Sequence, residues 1–254
     1  MHHIEISVFI IFLAFICEYV DSSIGMGYGT TLTPLLLLMG YNPLQVVPAV
    51  LLSELITGLG AGFAHHKFNN VNLKFGSVDF KIAAVLASGS MLGTVAAVLV
   101  ALNLPARYVK VYIGCLVLAM GILILSTLGR IFKFSWPKIT GIGLIAAFNK
   151  GLSGGGYGPV VTSGQILSGV HSKNAIGITS FAEGLTCVVG VITYLIFTNH
   201  TIEWTIAPSL ILGAVLSVPF AAYTVKKIDG TKLRLIVGIG TLILGVLTLG
   251  KIFL

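Results

Sequence analysis

Residues 21–43 read DSSIGMGYGTTLTPLLLLMGYNP, and residues 149–169 read NKGLSGGGYGPVVTSGQILSG. A shift of 129 positions lays the first over the second, and the match runs on for about thirty residues. Gly25, Gly27, Tyr28, Gly29, Thr33, Leu38, Gly40, Glu54 and Thr57 fall on Gly154, Gly156, Tyr157, Gly158, Thr162, Leu167, Gly169, Glu183 and Thr186. Apolar segments match one another readily by chance, so the coincidences in Gly, Tyr, Thr and Glu carry the weight. The chain reads as two repeats, 1–129 and 130–254, within one membrane domain.

The surroundings of the two glycine turns are those of a bilayer. Hydrophobic residues make up 56% of the 254 and charged residues 9%, against roughly a quarter in an average soluble domain; mean hydropathy is +1.02. Six stretches, 44–64, 79–102, 108–128, 174–197, 205–224 and 233–253, have the length of about 20 apolar residues that a crossing needs. Two more, 4–39 and 137–169, are interrupted by the glycine turns and give two pieces each. The 15 Lys and Arg are scattered over short loops and form no stripe, so the basic balance reports topology and gives no reason to expect nucleic acid.

Lys67, Lys74 and Lys81 flank the first long loop, Arg130, Lys133 and Lys138 the middle one, and Lys226, Lys227, Lys232 and Arg234 the last, which puts these three loops in the cytoplasm. The loop from Thr198 to Trp204 has no Lys or Arg and belongs on the other side; Arg107 and Lys110 also fall there, against the rule. Between the middle loop and Thr198 the interrupted stretch must then cross an even number of times. Its pieces, read as 137–149 and 158–169, are too short to span, so a re-entrant hairpin is expected. The same parity makes 4–39 a hairpin, although 4–20 is long enough to cross. The expected fold is an all-α polytopic membrane protein of two inverted repeats, each a re-entrant or broken hairpin plus three spanning helices, an architecture that places the solute site where the breaks meet.

Non-helical backbone at membrane depth persists only where it lines a protein-filled or watery space. Each outgoing short helix begins just after Tyr-Gly, so its free N–H groups and positive dipole end point to the midplane, and two such ends together suit an oxyanion. Hydroxyls of Thr30, Thr31, Thr33, Ser153, Thr162 and Ser163 lie beside them. The alternative is that the glycines serve helix packing and the hydroxyls bond back to backbone. Lys150, beside Asn149, is an ammonium at membrane depth and so a candidate for anion contact; its repeat counterpart is Asp21, and pairing of the opposite charges as a link or gate is the other reading. Glu54 and Glu183, each about ten residues into a span, must be paired, protonated or wet, either to couple protons or to anchor the hairpins, and Glu183 is a possible balance for Lys150.

Cys17, Cys115 and Cys187 sit inside apolar segments with no CxxC spacing and are expected to be buried free thiols. His65, His66, His171 and His200 lie near helix ends without ligand spacing and are expected at the interfaces. Pro34, Pro48, Pro208 and Pro219 are expected to kink helices. No catalytic triad, metal set or cofactor motif emerges, so an enzyme is not expected. GYG occurs in potassium filters, but that device needs four loops, and the channel alternative here is one for anions.

With DSSIGMGYGTTLTPLLLLMGYNP, NKGLSGGGYGPVVTSGQILSG and the downstream SKNAIGITSFAE at 172–183, nearly the whole chain resembles the TauE/SafE family of sulfite exporters. The resemblance implies a bacterial or archaeal cell-membrane protein and a small sulfur-containing anion, such as sulfite, thiosulfate or an organosulfonate, as the transported partner. The substrate-binding set expected is Gly27, Tyr28, Gly29, Thr30, Thr33, Asn149, Lys150, Ser153, Gly156, Tyr157, Gly158 and Thr162, with Asp21, Glu54 and Glu183 in coupling or gating. Protons are the candidate coupling ion, an oligomer stays open, and the rivals are an anion channel or a membrane subunit of a sulfur-metabolism complex.

Overall fold

A computed structural model describes residues 6–127, 135–197, 202–227 and 230–253. Among them the chain forms ten helices and no strand: α1 (Val8–Ile24), α2 (Tyr28–Leu38), α3 (Pro43–Lys67), α4 (Val78–Asn103), α5 (Ala106–Ser126), α6 (Trp136–Ser153), α7 (Tyr157–Leu167), α8 (Ser172–Phe197), α9 (Ala207–Val225) and α10 (Gly230–Phe253). α2, α3 and α4 start at Tyr28, Pro43 and Val78; α7, α8 and α9 start at Tyr157, Ser172 and Ala207, each 129 positions later.

Five helices are long and apolar enough to cross a membrane: α3, α4, α5 over Ala106–Leu123, α8 and α9. The sixth expected span falls on α10, where several side chains from 230 to 237 lie outside the described residues. Each interruption separates a longer arm from an 11-residue one, α2 or α7, of about 16 Å. The second long arm is longer than its sequence suggests. Helix is expected to end at Asn149, but α6 continues for another turn and stops at Gly154, whose φ of 71° only glycine adopts cheaply. Gly25 ends α1 in the same way, with φ 72°.

α3 and α8 form the centre, their most apolar windows 67% and 72% buried. They cross at small residues: a Cβ on Gly58 would lie 2.8 Å from the Ser180 carbonyl, and one on Gly184 2.7 Å from the Leu59 nitrogen. Without water to drive helices together, such backbone approach is what associates them in lipid. Around this pair, α1 lies along α9, α4 along α6 and α5 along α10. Exchanging α1–α5 with α6–α10 turns the α1–α9 pairing into α6–α4 and returns α3–α8 and α5–α10 to themselves.

The outside is greasy. Phe12 and Ile16 on α1, Leu216 and Phe220 on α9, and Ile243 and Val246 on α10 are all exposed. A belt of that kind is stable only against hydrocarbon. Cys115 belongs to it, exposed on peripheral α5, whereas Cys17 and Cys187 are buried as expected. Pro34, Pro48 and Pro219 stand inside helices, but Pro208 occupies the first turn of α9, where its missing N–H costs no bond. Arg130, Lys133, Thr198 and His200, and the side chains of Ser163, Lys232 and Arg234, lie outside the described residues.

Candidate functional site

The two glycine turns meet at the centre, backbone against backbone. A Cβ on Gly29 would overlap the Gly154 carbonyl group, and one on Gly158 would lie 2.6 Å from the Gly25 oxygen and 2.8 Å from the Met26 Cα. Only hydrogens fit on the facing sides. Polar bonds fasten the contact: the Gly156 N–H donates to Thr30 Oγ1 (2.9 Å), and Thr162 Oγ1 donates to the Gly25 carbonyl (2.6 Å) and lies 2.9 Å from Thr179 Oγ1. Thr33, the repeat mate of Thr162, is buried and its hydroxyl has no partner. It faces the other turn, because a Cβ on Gly154 would lie 3.1 Å from Thr33 Oγ1.

Lys150, in the last turn of α6, is fully buried, and its ammonium is held between the carboxylates of Glu54 on α3 and Glu183 on α8, the latter at 2.7 Å. Both carboxylates are at most 5% exposed. The two glutamates are repeat mates that converge on one lysine. Geometry explains why: α3 and α8 cross at the centre, so equivalent positions on each face the same point. Charge-assisted bonds are the condition for ions to survive at this depth.

The expected counterpart of Lys150 does something else. Asp21 Oδ1 accepts from the Tyr28 N–H (3.2 Å), the first residue of α2, so the positive end of that helix already faces a carboxylate. Asp21 is buried and within Coulombic range of Lys150 and Glu183. The start of α7 has no such cap, since a lysine stands where the first repeat has Asp21. The remaining expected residues occupy their neighbourhood: Tyr28 bonds Ser53 (2.8 Å), Asn149 accepts from Tyr112 (2.6 Å), Ser153 donates to the Asn149 carbonyl (2.7 Å), and Tyr157 is buried beside Gly156 and Gly158.

Two groups here are absent from the expected set. Glu18, one turn before Asp21 on α1, is buried; Ser22 donates to its Oε1 (2.6 Å), and its Oε2 has no partner. Its position inside the apolar run 4–39 was the available signal, as for any ionisable residue at membrane depth. His65 is the other: it is fully buried instead of interfacial. Its Nε2 donates to the Ser22 carbonyl (2.8 Å) and its Nδ1 accepts from Asn70 (3.1 Å), a tautomer assigned by the network. Asn70 also donates to the Ala222 carbonyl (3.0 Å), so the end of α3 is tied to α1 and α9. Sequence gave no sign of this, because position 65 looks like a helix end exposed to headgroups.

The arrangement holds one lysine and four acidic side chains in a buried interior, beside one helix start that carries no acid. The family model of the sulfite exporter TauE/SafE matches residues 10–248. The chain belongs to this family. The TauE/SafE chain is also similar to the probable membrane transporter protein YtnM of Bacillus subtilis (strain 168), 28% identical over 239 residues that cover 89% of this chain and 77% of the relative. No solved structure matches it. The protein is thus a multi-pass membrane transporter of the TauE/SafE family.

Proposed function

We propose that the protein is a secondary transporter of a small sulfur-containing anion, sulfite, thiosulfate or a small organosulfonate, in a bacterial or archaeal plasma membrane. The observation that carries this reading is Lys150, the cation at the meeting point of two helix breaks, held by Glu54 and Glu183. The anion takes the start of α7, which no carboxylate caps, with the Tyr157 and Gly158 N–H groups, the free hydroxyl of Thr33 and the ammonium of Lys150 as donors. In the closed arrangement the two glutamates stand in for it.

With Glu54 and Glu183 both ionised around one lysine, the cluster repels an incoming anion unless a proton enters with it. Protonation of Glu54 or Glu183 releases one of the two bonds to Lys150 and leaves the lysine to the substrate, which makes protons the coupling ion. The halves 1–129 and 130–254 act as inverted repeats that rock about this point. Supporting the inversion, Asn174 at the start of α8 donates to Asp79 (2.7 Å) just beyond the loop that follows α3, so repeat mates α3 and α8 run in opposite directions.

Glu54→Gln and Glu183→Gln are expected to flatten the pH dependence of sulfite uptake into proteoliposomes while an imposed sulfite gradient still drives exchange. An unchanged pH response in both variants would make the glutamates anchors only.

A further inference from the structure

A second basic site lies away from the centre. At the end of the bundle where α2 finishes, α5 begins and α10 finishes, a cavity of about 280 Å³ is lined by Arg107, Lys110, Lys251, Thr248 and the last leucines of α2. No carboxylate is among the described residues lining it. Lys251 donates to the Leu38 carbonyl (2.6 Å), which holds its ammonium over the mouth and leaves other N–H donors to point elsewhere. Arg107 stands in the first turn of α5, whose positive dipole end adds to the field.

Thr248 is the second observation. It is 3% exposed, and its Oγ1 has no hydrogen-bond partner. A hydroxyl buried without a partner costs free energy unless a visiting group completes it. Here it lines the same cavity as three cations.

The repeat supplies a control within the chain. Positions equivalent to Arg107, Lys110, Thr248 and Lys251 are Ile236, Ile239, Ala119 and Ile122. All four equivalents are apolar, so the polar set belongs to one repeat alone. The cations also sit at the end opposite Lys67, Lys74 and Lys81, where the positive-inside rule disfavours them. We infer that this cavity is an oxyanion site that takes a single phosphate or sulfo group, as the headgroup of an anionic lipid or as a free anion arriving from that face. The volume, at the small end of ligand pockets, suits a headgroup or a hydrated small anion.

The test uses the full chain in phosphatidylcholine nanodiscs, with inorganic sulfate titrated calorimetrically, and in detergent with phosphatidylglycerol followed by native mass spectrometry. One-to-one binding of one of these probes is expected, weakened at least tenfold in Arg107→Gln/Lys251→Gln. Thr248→Val, which keeps every charge, should weaken the same probe severalfold, a change that a diffuse surface field would not produce. Loss of bound phosphatidylglycerol identifies the lipid as the source; loss of sulfate affinity identifies the free anion. Both probes binding wild type and both variants equally, or neither binding wild type, would overturn the site. Because binding alone is read, the result is independent of whether sulfite is transported.

Discussion

Lys150→Ala is expected to abolish sulfite transport and to lower the unfolding temperature of the purified protein by roughly ten degrees. The lysine is the shared partner of Glu54 and Glu183, and all three are buried. Removing it leaves two carboxylates facing each other without a cation, and breaking a buried ion pair from one side costs about 3–5 kcal/mol. A loss of transport in this variant alone would not separate mechanism from folding. The triple variant Lys150→Met/Glu54→Gln/Glu183→Gln does so. It removes the charges together, and such neutral replacements are often as stable as the ions they displace. Its unfolding temperature should return close to wild type while transport stays absent. Transport by the triple variant would remove the cluster from the mechanism.

Gly29→Ala should reduce the transport rate by about 100-fold, the scale expected when reacting or binding groups are displaced by about 1 Å. Its new methyl would overlap the Gly154 carbonyl and come within 2.9 Å of the Gly155 Cα. Those obstacles are backbone, so no side chain can swing aside and the turns must part. Overpacking of this kind also costs about 1–3 kcal/mol, visible as a lower unfolding temperature. Gly158→Ala should behave alike from the other side, against the Gly25 carbonyl. Gly60→Ala is the control. It lies within α3 with open space around it, so it should transport normally and be unchanged or slightly stabilised, by up to about 1 kcal/mol. Normal flux in Gly29→Ala would mean that the turns need not touch.

Much of this was legible in the sequence because it rests on spacing. GMGYG and GGGYG place two helix breaks 129 residues apart, and the three helices that follow each break start in that register, up to α4 and α9. Glu54 and Glu183 were visible as mates at equal depth. That both reach one lysine was not, because it depends on α3 and α8 crossing, which no local pattern encodes. The end of α6 was misread for a local reason: Lys150-Gly151 looks like a helix stop, yet the stop is Gly154, where the left-handed backbone begins. His65 was misread because hydropathy cannot tell a histidine facing headgroups from one turned inward onto the Ser22 carbonyl. Asp21 stood out in the sequence for its charge. Its partner, the Tyr28 N–H, belongs to backbone and has no signature in residue types.

The most direct test of the central claim is radiolabelled sulfite flux in proteoliposomes carrying the purified wild-type chain, measured against sulfite concentration with and without a pH gradient. Saturable flux, accelerated by the gradient and inhibited by thiosulfate or a small sulfonate but not by chloride, is the expected result. Flux that rises linearly with concentration and ignores the gradient, or no flux of any of these anions, would contradict a proton-coupled carrier built around Lys150.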